Sequence, residues 1–205
     1  MNAIAPIRAE PDLARLRGFV VSFGELLGST RDERSILESG AALLGQLIAR
    51  DDWLPDEYAE PDPDRYRQYL LHCDSRERFS VVSFVWGPGQ ATPIHDHTIW
   101  GLVGVLRGAE RVESFRRDPR HGLVARGRPQ ILEAGKVDAV SPRIGDIHRV
   151  ANAVPDRPSV SIHVYGANIG AVERATYDEA GAPRSFISGY ANRHLPNLWD
   201  RSARS

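Results

Sequence analysis

The sequence predicts a mainly β fold, a small closed barrel of short strands with N-terminal helices packed on its flank. Two patterns carry this expectation. From Tyr66 onward, short runs rich in Val, Ile and Phe are separated by Gly and Pro, as strands joined by turns are. Before Pro55, apolar residues recur instead at helical spacing. Strands this short suit a barrel, because closure removes exposed edges.

The elements follow in order. A first helix is expected from about Asp12 to Leu27, with Leu13, Leu16, Phe19, Val20, Phe23 and Leu27 facing inward. Thr30-Arg-Asp-Glu33 has the form of a capping box, in which Thr30 covers an orphan amide and Glu33 reaches back. A second stripe of Ile36, Leu37, Ala41, Leu44, Leu47 and Ile48 follows it. Both stripes read as core that covers one flank of the barrel. Pro55, Pro61 and Pro63 mark a connecting loop. Strands are expected at Ser80 to Trp86, Ile99 to Leu106, Arg111 to Phe115, Gln130 to Leu132 and Ser159 to Tyr165. From about Phe186 the chain, with Pro196 and Trp199, is expected to pack as an extended tail. The 205 residues thus read as one domain: 1–55 helical, 66–180 barrel, 186–205 tail.

Composition narrows the function classes. With 26 basic against 27 acidic residues the net charge is −1, which suggests neither nucleic acid nor an anionic membrane as a partner. Arginines between Arg107 and Arg128 are interleaved with acids and read as solvated edges. The single cysteine, Cys73, excludes an intrachain disulfide framework, so a reducing, cytoplasmic compartment is expected. No apolar run approaches a membrane span, and the N-terminus lacks a signal-peptide pattern. A small-molecule ligand is the expected partner, for a monomer or small homo-oligomer. Cys73 reads as a small buried hydrophobe, His72 as structural, and His121 and His194 as exposed loop residues.

Pro93-Ile94-His95-Asp96-His97 is the most informative stretch. On a strand, His95 and His97 share one face and Asp96 takes the other. Two imidazoles on one face can chelate a first-row metal through neutral nitrogens. The surrounding pattern is Gly89-x5-His95-x-His97-x3-Gly101-x6-Gly108, and Pro142-Arg-Ile-Gly145-Asp-Ile-His148-Arg-Val-Ala-Asn152 follows downstream. Together they resemble the two motifs of the cupin superfamily, whose fold is a double-stranded β-helix (jelly-roll) barrel with a metal inside. Two departures stand out. Gly101 lies where most cupins have a metal-binding glutamate, and two residues rather than one separate Pro142 from Gly145. The resemblance implies His95, His97 and His148 as ligands. Three neutral ligands leave a divalent metal its full charge and about three of six octahedral positions open. Such a site favours an anionic co-ligand, and a thiol is deprotonated by coordination.

Ser161-Ile-His163-Val-Tyr165 sharpens the resemblance. Its spacing of two aims three polar groups at one face of a strand, with Ile162 and Val164 on the other. The triplet resembles the Ser-His-Tyr relay of the cysteine dioxygenase-like thiol dioxygenases. These use Fe(II) as cofactor and O2 as co-substrate to convert a small thiol carboxylate to a sulfinic acid. The resemblance implies that Tyr165 reaches the open positions, His163 orients it and Ser161 holds His163. Gln68, with Arg67 beside it, lies where the cysteine-specific branch has an arginine, and Arg174 matches the carboxylate-binding arginine of the bacterial 3-mercaptopropionate dioxygenases. Thr98-Ile-Trp-Gly-Leu102 contains no cysteine to crosslink to Tyr165, unlike the mammalian enzymes. The resemblance therefore implies conversion of 3-mercaptopropionate to 3-sulfinopropionate. The alternatives are a cysteine dioxygenase, a cupin enzyme using another metal, and a non-catalytic cupin binding module.

Overall fold

Two aspartates open the helices. The structure, a computed structural model, describes residues 11–196. Helix α1 runs Leu13–Ser29 and α2 runs Glu33–Ile48. The Asp12 carboxylate accepts from the Ala14 N–H. That of Asp32 accepts from the Ser35 N–H at 2.9 Å and from Ser35 Oγ at 2.8 Å. Each covers an amide that a first turn leaves unpaired. The expected capping box is not made. Thr30 Oγ1 accepts instead from the Asp32 N–H, while the Glu33 carboxylate reaches across to Ser141 and Arg143. An ionised oxygen is the stronger acceptor, and its charge suits the positive helix end, so Asp32 outcompetes Thr30.

Among the described residues, twelve strands form two antiparallel sheets. The first has the order β1 (Arg67–Cys73), β2 (Ser80–Trp86), β10 (Ser159–Tyr165), β4 (Gly101–Arg107), β8 (Val137–Val140). The second has the order β12 (Pro183–Phe186), β11 (Arg174–Tyr177), β3 (Ile94–His95), β9 (His148–Asn152), β5 (Ala109–Asp118), β6 (Gly122–Ala125), with β7 (Gln130–Glu133) also on β5. This is the cupin double-stranded β-helix. Among the described residues the two sheets pack face to face around a shared interior, as expected of such a barrel. The strands at 80–86 and 159–165 have the expected ends. The one expected from Ile99 begins at Gly101, after a turn in which Thr98 has φ 62°. The barrel also runs past the expected limit at residue 180, because β12 pairs with β11.

Period-two alternation divides the interior. From β2 and β10, Val81, Val85, Val160, Ile162 and Val164 pack with the helices. Val82, Phe84, Trp86 and Tyr165 point into the barrel with Val150 of β9. On the helix side the backbones approach closely. A Cβ on Gly104 of β4 would lie 2.9 Å from Ile48 Cδ1, and one on Gly40 of α2 would lie 2.9 Å from Leu102 Cδ1. The helical stripes bury Leu16, Phe19, Val20 and Phe23 on α1 and Ile36, Leu44, Leu47 and Ile48 on α2, as expected. Each large apolar side chain so covered contributes about 1.5–3 kcal/mol. No helix among the described residues is long and apolar enough to cross a membrane.

The segment after Phe186 is not a simple tail. It turns back along β1, where the Ala191 N–H donates to Gln68 O and the Asn192 side chain bonds both the N–H and the carbonyl of Leu70. Trp199, named with this segment above, lies outside the described residues.

Candidate metal centre

Strand register brings the histidines together. His95 on β3 pairs directly with His148 on β9. His97 lies two residues beyond the end of β3, so only one of the pair is on a strand. Alternation nevertheless holds, and Asp96 points away to accept from the Ala175 N–H and the Tyr177 hydroxyl. The three imidazole centroids stand 4.8 to 4.9 Å apart, a nearly equilateral ring. One nitrogen from each lies within 4.8 Å of the others, and all three side chains are buried.

Neighbouring acceptors fix which nitrogens face inward. His95 Nδ1 lies 3.1 Å from Pro93 O, and His97 Nδ1 lies 3.0 Å from Asp146 Oδ1. A carbonyl and a carboxylate only accept, so each Nδ1 carries the hydrogen and each Nε2 keeps its lone pair. Burial depresses the basicity of His95, to about 3, and of His148, well below the ordinary value. Both are therefore neutral, the form that ligates. Asp146 also accepts from the N–H groups of His97 and Thr98. Burial pushes its carboxyl up, but these bonds outweigh burial and hold it below the usual range.

No carboxylate joins the ring among the described residues, and Gly101 explains why. It pairs with Tyr165 across β4 and β10. A Cβ there would meet the Tyr165 ring at 2.7 and 2.8 Å. Tyr165 fills the space that a ligand from position 101 would need, and its ring stacks on His97 at 5.3 Å.

Ser161, His163 and Tyr165 form one hydrogen-bonded line. Ser161 Oγ lies 2.8 Å from His163 Nε2, and His163 Nδ1 lies 2.8 Å from the Tyr165 hydroxyl. All three are buried, with Phe84 against the His163 ring at 4.2 Å. Burial holds His163 neutral and raises the Tyr165 phenol well above its ordinary range.

Gln68 and Arg174 both line the small cavity that opens onto the histidines. Arg67, the neighbour that a one-residue slip would put there, pairs with Asp62 instead. Gln68 Nε2 donates to Ser188 Oγ at 3.0 Å and Gly189 O at 2.8 Å. Arg174 Nη2 donates to the same Ser188 Oγ at 2.6 Å, and its guanidinium lies over the Phe186 ring. Its Nε is buried without a partner. A buried cation with an unused donor is ready for an anion.

His72 packs on Phe79, while His121 and His194 pair with Asp118 and Glu57. None joins the ring, as expected. Sequence reasoning missed Asp146, Asp96 and Ser188. Asp146 alone had a signal, lying two residues before His148 inside the second motif.

The Cysteine dioxygenase type I family matches residues 46–179. Over 118 residues the chain is 29% identical to cysteine dioxygenase type 1 of Danio rerio, covering 56% of this chain and 56% of that one. Over 110 residues it is 28% identical to cysteine dioxygenase type 1 of Homo sapiens, covering 53% and 54%. The chain spans about half the length of these relatives. Among solved structures, a conserved protein with a double-stranded β-helix domain from Klebsiella pneumoniae aligns with a TM-score of 0.44 and 21% identity, over 58% of this chain and 93% of that one.

Proposed function

The chain belongs to the cysteine dioxygenase type I family, and on that premise we propose that it is a non-heme Fe(II) thiol dioxygenase. Its substrates are O2 and a small thiol carboxylate, and its product is the sulfinic acid. The observation that carries this reading is the unbroken Ser161–His163–Tyr165 line, ending beside a ring of three histidines. Neither a hydrolytic zinc site nor a passive binding module needs such a line.

The donor set fits the metal. Three converging imidazoles, with Nδ1 of His95 and His97 already engaged and their Nε2 atoms left to ligate, suit a divalent first-row ion that keeps open positions. His95, His97 and His148 would hold it. Bound iron supplies the redox chemistry with dioxygen and the acidity that ionises a thiol. The protein's own residues do the rest. Arg174 offers the substrate carboxylate two donors, Ser188 holds that guanidinium and Gln68 in place, and Tyr165 presents its hydroxyl to the cavity under control of His163. The low-dielectric wall of Phe84, Trp86 and Val150 strengthens each of these contacts.

For the substrate we propose 3-mercaptopropionate. Among the described residues the cavity lining holds the Arg174 cation and no acidic side chain, which suits a thiol with a carboxylate and no ammonium group. L-Cysteine is the second reading, favoured by the activity for which the relatives in fish and human are named. Anaerobic loading with ferrous iron, then oxygen uptake and mass analysis of product with each thiol, tests both. Sulfinate formation from 3-mercaptopropionate at the higher kcat/KM is expected. Preference for cysteine would overturn the substrate assignment, and no sulfinate from either thiol would overturn the reaction. The compartment we propose is the cytoplasm, on the strength of the single cysteine.

A further inference from the structure

Glu110, near the start of β5, is fully buried and plays no part in the site described so far. Neither of its carboxyl oxygens has a hydrogen-bond partner of ordinary geometry. The β5–β9 register places it opposite Asn152. Its carboxyl faces Ser161 of β10 and the Trp86 indole of β2. Trp86 Nε1 in turn lies 3.4 Å from Ser161 Oγ. A buried carboxyl is costly unless it is neutral or well bonded, so its presence here calls for a physical reason.

We propose that Glu110 is the inner end of the relay, and that its proton sets the direction in which the hydrogen bonds from Ser161 to Tyr165 run. The inference rests on reading those three residues as a functional relay. Proton bookkeeping along the line gives two states. When Glu110 is protonated, it donates to Ser161 Oγ, and Ser161 donates to His163 Nε2. His163 Nδ1–H then donates to the Tyr165 oxygen, and the Tyr165 proton is free to point into the cavity. When Glu110 is ionised it only accepts, so Ser161 turns its proton to Glu110. His163 becomes the Nε2–H tautomer, and Tyr165 donates inward to Nδ1. The two states differ by one proton. Four hops interconvert them: Glu110 to Ser161, Ser161 to Nε2, Nδ1 to Tyr165, and Tyr165 to a basic atom in the cavity.

The surroundings leave Glu110 as the member that titrates. The groups that interact with it from the packed strands are Ser161 and Tyr165 of β10 and Trp86 of β2, while Asn152 of β9 and Leu132 of β7 lie opposite it in the ladders. Of these only Tyr165 ionises, and burial holds it neutral, as it does His163 further along the line. Burial pushes the Glu110 carboxyl up to about 7. Glu110 is a positioning residue, acting on the cavity only through the line.

The test uses the metal-free protein, so it does not depend on thiol turnover. Imidazole ¹⁵N spectra, with His163 assigned by comparison with His163→Gln, are recorded across the neutral pH range. The expected result is a change from the Nδ1–H to the Nε2–H tautomer as pH rises, over the interval in which the infrared band of a buried carboxylic acid disappears. Glu110→Gln removes the titrating proton and orients its amide with oxygen toward Trp86 and nitrogen toward Ser161, so the Nδ1–H form should persist at every pH. A wild-type tautomer that ignores pH, a switch without loss of a carboxylic acid band, or an unchanged switch in Glu110→Gln each overturns the proposal. The wild-type measurements alone decide the matter if the variant does not fold. With a turned-over thiol in hand, wild-type kcat should fall about tenfold per pH unit above the midpoint, as for loss of a single essential proton, while Glu110→Gln stays flat.

Discussion

Replacing Asp146 by alanine removes the acceptor of three N–H groups at once: the His97 ring, the His97 backbone and the Thr98 backbone. The ring bond matters most to the metal. At 3.0 Å it keeps hydrogen on Nδ1 and aims Nε2 at the centre of the histidine ring. Loss of a carboxylate in this position typically weakens metal binding about 10–100-fold, or about 1.4–2.7 kcal/mol. Stability should fall as well, because charge-assisted hydrogen bonds contribute about 1.5–3 kcal/mol each. Thr98 is exposed, so water recovers part of its share. Asp146→Asn keeps one acceptor oxygen but no charge and should fall between wild type and alanine. Anaerobic competition for ferrous iron against a chromophoric chelator measures the affinity, and thermal melts of the metal-free proteins measure the stability. Wild-type iron affinity in Asp146→Ala would refute the reasoning, because His97 would then not be oriented by Asp146 for metal binding.

Three further outcomes are expected. Gly101→Ala forces its Cβ into the buried Tyr165 ring and should cost about 1–3 kcal/mol in thermal or urea melts, with turnover lost faster than iron. Arg174→Gln should raise KM for a thiol carboxylate on the order of a hundredfold, as for loss of one partner of a buried charge pair. Iron content should not change, and an unaltered KM would remove Arg174 from the substrate site. Tyr165→Phe should retain iron but alter turnover or the ratio of oxygen consumed to sulfinate formed. Identical kinetics would dispose of the relay.

What the sequence made legible follows from how local each signal is. The ends of β2 and β10 could be read because both strands are dense in Val, Ile and aromatic residues, with turns on both sides. That His95 and His97 share a face, and that Ser161, His163 and Tyr165 share another, could be read from their spacing of two, whereas His148 was reached only through the resemblance. The N-cap of α2 was misassigned because Thr30 and Asp32 both fit a cap, and only the backbone path shows which is used. Ser188 was invisible. Its importance comes from bridging Gln68, 120 residues away, and Arg174, 14 residues away, through a segment with no periodic pattern. Glu110 was hidden differently. Between Arg107 and Arg128 it looks like one more solvated acid, and only the β5 register shows that it faces inward while Glu113 pairs with Arg111 and Arg149.

The missing carboxylate ligand and the relay are one structural feature. Position 101 on β4 stands directly opposite position 165 on β10, so side chains at both would compete for the same inward volume. A glutamate at 101 reaching the histidines would have to pass through the phenol ring that stacks on His97. A barrel of this register can hold a fourth anionic ligand or a tyrosine beside the metal, but not both. Negative charge is displaced outward instead. Asp146 holds a histidine from behind, and Asp96 anchors the strand that carries Arg174. Under the proposed function, the charge of a bound divalent metal would be left for the substrate to balance, which is the electrostatic condition for capturing a thiolate. On this argument the identity of residue 101 is set by the packing of Tyr165, and the neutral ligand ring follows from it.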